Sequence, residues 1–165
     1  MNRRKFLLAT VALAASPVLT VRARDDAMSM QNHRIEKLEL SDAQWRQRLT
    51  PAQFRILREE GTEPAYSSPL NNEKREGTYV CAGCELPLFT AAMKYDSGTG
   101  WPSFFKTLPN AVGTKLDFGL FLPRTEYHCA RCGGHQGHVF NDGPEPTGKR
   151  YCNNGLALKF IPDQA

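Results

Sequence analysis

This sequence has little that would mark a membrane protein, a low-complexity tail or a nucleic-acid binder. It contains no compositionally biased segment, and its only internal repeat is a duplicated Cys-x-x-Cys. Its one sustained apolar stretch, Phe6 to Val21, falls short of a comfortable bilayer span and is interrupted by Pro17. A charge surplus is also missing once the first residues are set aside. Removing residues 1–23 takes away Arg3, Arg4, Lys5 and Arg22, leaving 17 Lys and Arg against 17 Asp and Glu. A neutral domain has no counterion release to exploit, which argues against nucleic acid as a partner.

The basicity belongs to an address. A basic start, an apolar run and then Val21-Arg22-Ala23 have the layout of a secretory signal. Arg3-Arg4 followed by Lys-Phe-Leu-Leu resembles a twin-arginine export signal. The expectation is a signal peptide over 1–23, a flexible tether over 24–40 and one folded domain over 41–165. That layout implies an exported, periplasmic protein with no stable membrane association once the signal is cleaved; an uncleaved anchor is the alternative.

Within the domain, Ser41 can cap a short helix over "DAQWRQRL". Thr50 can cap a second, "PAQFRILREE", with Pro51 at its first position, Gln53 completing a capping box and Gly61 ending it. Phe54, Ile56 and Leu57 then face a core. "GTEPAYSSPLNNEKREG" reads as a surface loop rich in turn formers. From Thr78 onward short strand-like runs follow, most of them separated by Gly and Pro: "TYVC", "LPLF", "KLDFGLFL", "TEYHC", "HVF", "YC" and "LALKF". The fold class expected is therefore mainly β with short N-terminal helices, built from antiparallel sheets in a sandwich or barrel-like domain.

Five cysteines remain to be explained. Cys81 and Cys84 form one Cys-x-x-Cys and Cys129 and Cys132 another, with 44 residues between the pairs. Two intervening residues let a tight turn aim both sulfurs at one ion, the pattern of a structural tetrahedral zinc site. Gly133, after Cys132, suits a left-handed turn that brings amide donors to the thiolates. Two disulfides, or a dithiol redox motif, are the competing readings. A site with four sulfur ligands has no open position, so the zinc would do no chemistry.

Cys152 is left over. Single buried cysteines often serve as small apolar residues, but this one has suggestive company. Arg150 lies two positions before it and would stabilise a thiolate. His135 and His138 lie in "GHQGHVFNDGP", joined to it by a Gly/Pro-rich loop that could return the chain alongside. Trp101 and Phe104 in "GTGWPSFF" offer an apolar pocket wall, although such aromatics are more often core.

The motifs "CAGC", "SGTGWPSFF" and "HCARCGGHQGHVFNDGPEPTGKRYCNNGLALKF", in that order, resemble the B-type peptide-methionine (R)-S-oxide reductases over roughly residues 41 to 162. The resemblance implies a zinc-stapled pair of antiparallel sheets and the reduction of methionine-R-sulfoxide in peptides or proteins, a repair activity under oxidative stress. It implies Cys152 as nucleophile, and His138 with His135 as the pair that protonates or polarises the sulfoxide oxygen. Trp101 would pack on the substrate methyl group with Phe140 extending that wall, and Asn154 would orient the site. The product left on the enzyme would be a Cys152 sulfenic acid.

Three positions depart from the family pattern. Thr99 stands where many members carry a recycling cysteine, which implies a one-cysteine enzyme reduced by an external thiol or thioredoxin-like donor. Asn153 replaces a usual aliphatic residue and Gly155 a usual Ser or Ala, making the segment after the nucleophile more polar and less constrained. Two rival readings are a non-enzymatic zinc-tethered ligand-binding module, which has no use for a free thiol, and a thiol-based redox sensor, which leaves the histidines and Trp101 unexplained.

Overall fold

A computed structural model describes residues 35–119 and 122–164. The segment read as an export signal, and the tether as far as residue 34, lie outside the described residues. The last part of the tether, residues 35–40, lies along the domain: Leu38 N–H donates to the Arg131 carbonyl at 2.9 Å, Lys37 Nζ to the Ala130 carbonyl at 2.7 Å, and Ile35, Leu38 and Leu40 pack on the core.

Both helices form where local chemistry demands. Helix α1 spans Asp42–Arg48 and α2 spans Pro51–Glu59, each with a reciprocal capping box, Ser41 with Gln44 and Thr50 with Gln53. These side chains satisfy amide groups that have no partner inside the helix. Helix α2 turns Phe54, Ile56 and Leu57 into the core, each stabilising the fold by about 2 kcal/mol. Its left-handed ending falls on Glu60 (φ 54°), while Gly61 lets the chain pass close to the Arg55 carbonyl.

Among the described residues nine strands make two antiparallel sheets. They are β1 (Gly77–Cys81), β2 (Pro87–Thr90), β3 (Lys94–Tyr95), β4 (Ser103–Phe104), β5 (Val112–Asp117), β6 (Arg124–Cys129), β7 (His135–Phe140), β8 (Arg150–Asn153) and β9 (Leu158–Pro162). The smaller sheet has the order β2-β1-β9 and the larger β3-β4-β8-β7-β6-β5. Among the described residues neither sheet closes into a barrel, and β3 and β5 remain edges. Between the sheets lies an aromatic core: the Phe89 and Phe104 rings stack at 4.0 Å, and Tyr79 meets Phe104 edge-on at 5.0 Å.

Two expectations are corrected here. Phe104 is fully buried in this core, so it walls no pocket; on a strand its side chain points opposite to that of its neighbour Ser103. The segment 61–77 is only partly a surface loop. Glu63 and Ser68 are buried and Pro69–Asn72 form a 3-10 turn, because this stretch packs on the chain at 154–156 and on the loop at 98–100.

Candidate active site

Strand pleating selects the residues of the site. On the larger sheet, Tyr127, Val139 and Tyr151 fall on one face, toward the aromatic core, and the residues between them fall on the other. Cross-strand partners on that second face form one row: Lys115 faces Glu126, Glu126 faces His138, His138 faces Cys152, Cys152 faces Ser103, and Ser103 faces Tyr95. Every strand of the sheet contributes one member. The loop 141–149 thus returns β8 alongside β7 and sets the leftover thiol beside a histidine.

Above this row opens a cavity of about 280 Å³, lined by Cys152, His138, Trp101, Phe140, Arg150 and Asn154, with Thr62, Thr99, Arg124, Gly137 and Asn153 completing its wall. The thiol is partly exposed there. Burial pushes the Cys152 pKa up, and the Arg150 charge and hydrogen bonding from Thr99 and Arg150 offset this only in part. Arg150 therefore favours the thiolate as its type suggests, but desolvation of the sulfur is the larger effect. The guanidinium is locked by Asp142 through Nε–Oδ1 at 2.9 Å and Nη2–Oδ2 at 2.8 Å, and sits 4.3 Å from the Phe140 ring centre. Such a fork fixes its direction as well as its charge.

The two histidines differ. His138 lines the cavity, and its Nε2 bonds Asp117 Oδ2 at 2.7 Å. Burial holds its pKa below the usual imidazole range despite that carboxylate. His135 is buried behind it, with the rings 5.5 Å apart and edge to face. Its Nδ1 donates to Glu126 Oε1 at 2.8 Å, and its Nε2 is buried without a partner among the described residues. Glu126 is itself buried. Burial raises its pKa, but the His128 ring 3.7 Å from Oε2, the hydrogen bond from His135 and the charge of Lys115 outweigh it and hold the carboxyl well below the usual range.

Asn153 and Gly155 tighten the segment rather than loosen it, contrary to the expectation from their residue types. Asn153 is fully buried, accepts from Tyr127 Oη at 2.5 Å and donates to the Asn154 carbonyl at 2.8 Å. Asn154 Nδ2 donates to the Gln136 carbonyl at 3.1 Å, and its Oδ1 accepts from Glu63 N–H at 3.0 Å. A Cβ on Gly155 would overlap Ser68 Oγ, so glycine is what close packing requires there. Glu63, Asp117, Glu126 and Asp142 were not singled out from the sequence. An acidic residue at a pleat position beside histidine is the only signal Glu126 carries, and Glu63 is concealed among turn formers.

The cysteine quartet lies elsewhere, where the β1 end meets the β6–β7 turn. The sulfurs of Cys81, Cys84, Cys129 and Cys132 are all within 4.8 Å of one another, with Cys81–Cys132 at 3.7 Å and Cys84–Cys129 at 3.4 Å. A zinc ion with four thiolates needs sulfurs about 3.8 Å apart. All four are buried and none is in a disulfide. Gly133 takes the left-handed φ of 67° that the second turn requires, and Gln136 Nε2 reaches Cys81 Sγ at 3.5 Å. These residues form a site for one structural zinc, held away from the cavity.

A SelR domain matches residues 49–162 of this chain. The chain is 51% identical over 127 residues to the peptide methionine sulfoxide reductase MsrB of Agrobacterium fabrum, covering 76% of this chain and 94% of that protein. It is 50% identical over 130 residues to the MsrB of Leptospira interrogans, covering 78% and 97%. Against the chloroplastic peptide methionine sulfoxide reductase B1 of Arabidopsis thaliana it is 52% identical over 126 residues, 76% of this chain but 62% of that longer protein.

Proposed function

This chain belongs to the SelR-domain family and is a methionine sulfoxide reductase of the MsrB type; from that premise we propose that it reduces the R epimer of methionine sulfoxide in peptides and proteins, with Cys152 as the reagent. One observation carries the reading. The only cysteine outside the zinc quartet opens into a cavity with an indole on its wall and an imidazole directly across the ladder.

The chemistry follows from what these groups can do. The substrate methyl group packs against Trp101, with Phe140 extending the apolar surface. The Cys152 thiolate attacks the sulfoxide sulfur, which is electrophilic only as its oxygen gains a proton. His138 relays that proton: Asp117 holds Nε2–H, so Nδ1 is the free nitrogen, taking the proton of the Cys152 thiol and passing it to the sulfoxide oxygen. The buried Nε2 of His135 suits a bound water behind it, since buried polar atoms without a protein partner are usually met by water. The oxygen passes to the enzyme sulfur and methionine leaves as the thioether, so Cys152 becomes a sulfenic acid. Its burial keeps the resting thiol largely protonated, which protects it from other oxidants until substrate arrives.

With Thr99 in the place of a recycling cysteine, an external thiol or thioredoxin-like donor returns Cys152 to the thiol. Residues 1–23 suit export by the twin-arginine route, which carries folded proteins. Zinc would then be loaded before export, and the substrates would be oxidised exported proteins. Turnover of separated R and S sulfoxide epimers with dithiothreitol tests the activity. Consumption of R alone is expected; equal consumption of both, or of neither, overturns it.

A further inference from the structure

Glu63 is a buried acidic residue, 3% exposed, for which the reaction above has no use. Four hydrogen bonds converge on it. Its Oε1 accepts from Gly155 N–H at 2.5 Å and its Oε2 from Leu156 N–H at 2.9 Å. Its own N–H donates to Asn154 Oδ1 at 3.0 Å, and its carbonyl accepts from Trp101 Nε1 at 3.1 Å. One residue is thereby tied to the three positions after Cys152–Asn153 and to the indole that walls the cavity.

The need for a carboxyl group at this place is local. Residues Gly155–Ala157 form a 3-10 turn, and Asn154, at its start, makes no side-chain bond to it. The first amides of such a turn have no partner within it. Two adjacent N–H groups pointing one way are met by a forked acceptor, which here comes from 92 residues earlier in the chain. A Cβ on Gly155 would lie 3.2 Å from Glu63 Oε1 and would overlap Ser68. Glycine at 155 and glutamate at 63 are therefore complementary: the first leaves room for the second. Asn154 is held in turn, with its N–H on the Gln136 carbonyl at 2.8 Å.

We infer that Glu63 is a positioning residue of the reaction, clamping the end of the nucleophile's strand to the indole wall so that sulfur and methyl pocket keep one spacing. The inference rests on Cys152 being the nucleophile. A displacement of about 1 Å at a reacting group costs up to about 100-fold in rate, so loosening this clamp harms turnover more than folding. The loss divides between kcat, through the sulfur, and KM, through the indole.

The test uses the full chain with 5-fluorotryptophan incorporated, comparing the parent with Glu63→Gln and Glu63→Ala. Glutamine preserves volume but turns one acceptor into a donor facing an N–H. If the alanine variant does not fold, the glutamine variant carries the comparison. Expected for Glu63→Gln are a melting temperature above that of the assay, kcat/KM for a methionine-R-sulfoxide peptide lower by about 10- to 100-fold, a rise in KM, and a moved fluorine resonance of Trp101. A variant with kcat and KM within about twofold of the parent and an unmoved resonance overturns the inference. So does a glutamine variant that melts below the assay temperature, since Glu63 would then serve the fold alone. The Trp101 resonance needs no activity, so an inactive parent would count against the reaction and leave the clamp to be judged separately.

Discussion

His138 on β7 and Cys152 on β8 stand directly opposite one another in the antiparallel ladder, in a row that runs from Lys115 through Glu126 to Ser103 and Tyr95. Directly opposed residues have Cα atoms about 4.5–5.5 Å apart, so the imidazole and the thiol that the proposed reaction uses are fixed by sheet register rather than by a flexible loop. The two groups have separable roles. Cys152→Ser should abolish turnover while keeping the melting temperature and the zinc content. His138→Gln should lower kcat by about 10²- to 10⁴-fold and leave alkylation of Cys152 by iodoacetamide nearly unchanged. Steady-state kinetics beside an alkylation time course would distinguish them.

Cys152 should titrate high. Burial favours the neutral thiol, and Arg150 and Thr99 offset it in part. The alkylation rate of the resting protein should therefore rise with pH through a midpoint above that of an ordinary thiol. Arg150→Met and Thr99→Val each remove something that favours the thiolate, so each should move the midpoint further up. A midpoint below the ordinary value would contradict this balance of forces.

Glu126 should make stability depend on acid. Its carboxyl titrates lower in the folded protein than in the unfolded chain. The stabilisation is therefore complete above the unfolded value of about 4.3 and is lost as pH falls toward the folded value. Glu126→Gln should cost about 3 kcal/mol near pH 7, and the gap from the parent should narrow below about pH 5. Denaturant melts at pH 7 and pH 4 measure it; a gap that widens in acid would disprove the linkage.

Zinc and the fifth cysteine should behave independently. Metal analysis should find about one zinc per chain, and Cys84→Ser should lose the metal and lower the melting temperature sharply. Oxidation of the parent by substrate should leave a Cys152 sulfenic acid trappable by dimedone, with no disulfide inside the chain. Thr99→Cys places a thiol against Cys152 and should yield that disulfide under the same treatment. Mapping by peptide mass reads both outcomes.

Much of this molecule was legible before its structure because the signals were local. The capping boxes of Ser41 with Gln44 and Thr50 with Gln53 need residues three apart. The two Cys-x-x-Cys turns specify a metal wherever they meet, and counting thiols isolates Cys152. The row of residues around that thiol was not legible in the same way, because it depends on register among strands whose pairings span large separations. Trp101 and Phe104 look alike in the chain; pleating sends one to the cavity and the other to the core.

The amino-acid order by itself thus determined the helices, the zinc quartet and the one cysteine left outside it, each resting on groups that find one another within a few residues or through identical chemistry. Only the tertiary structure decided which acids serve the site. Asp117 holds one histidine, Glu126 the other, Asp142 the arginine and Glu63 the turn that follows the Cys152 strand. A carboxyl group carries no mark of its partner in the sequence, and burial beside a particular N–H is settled only when distant segments pack.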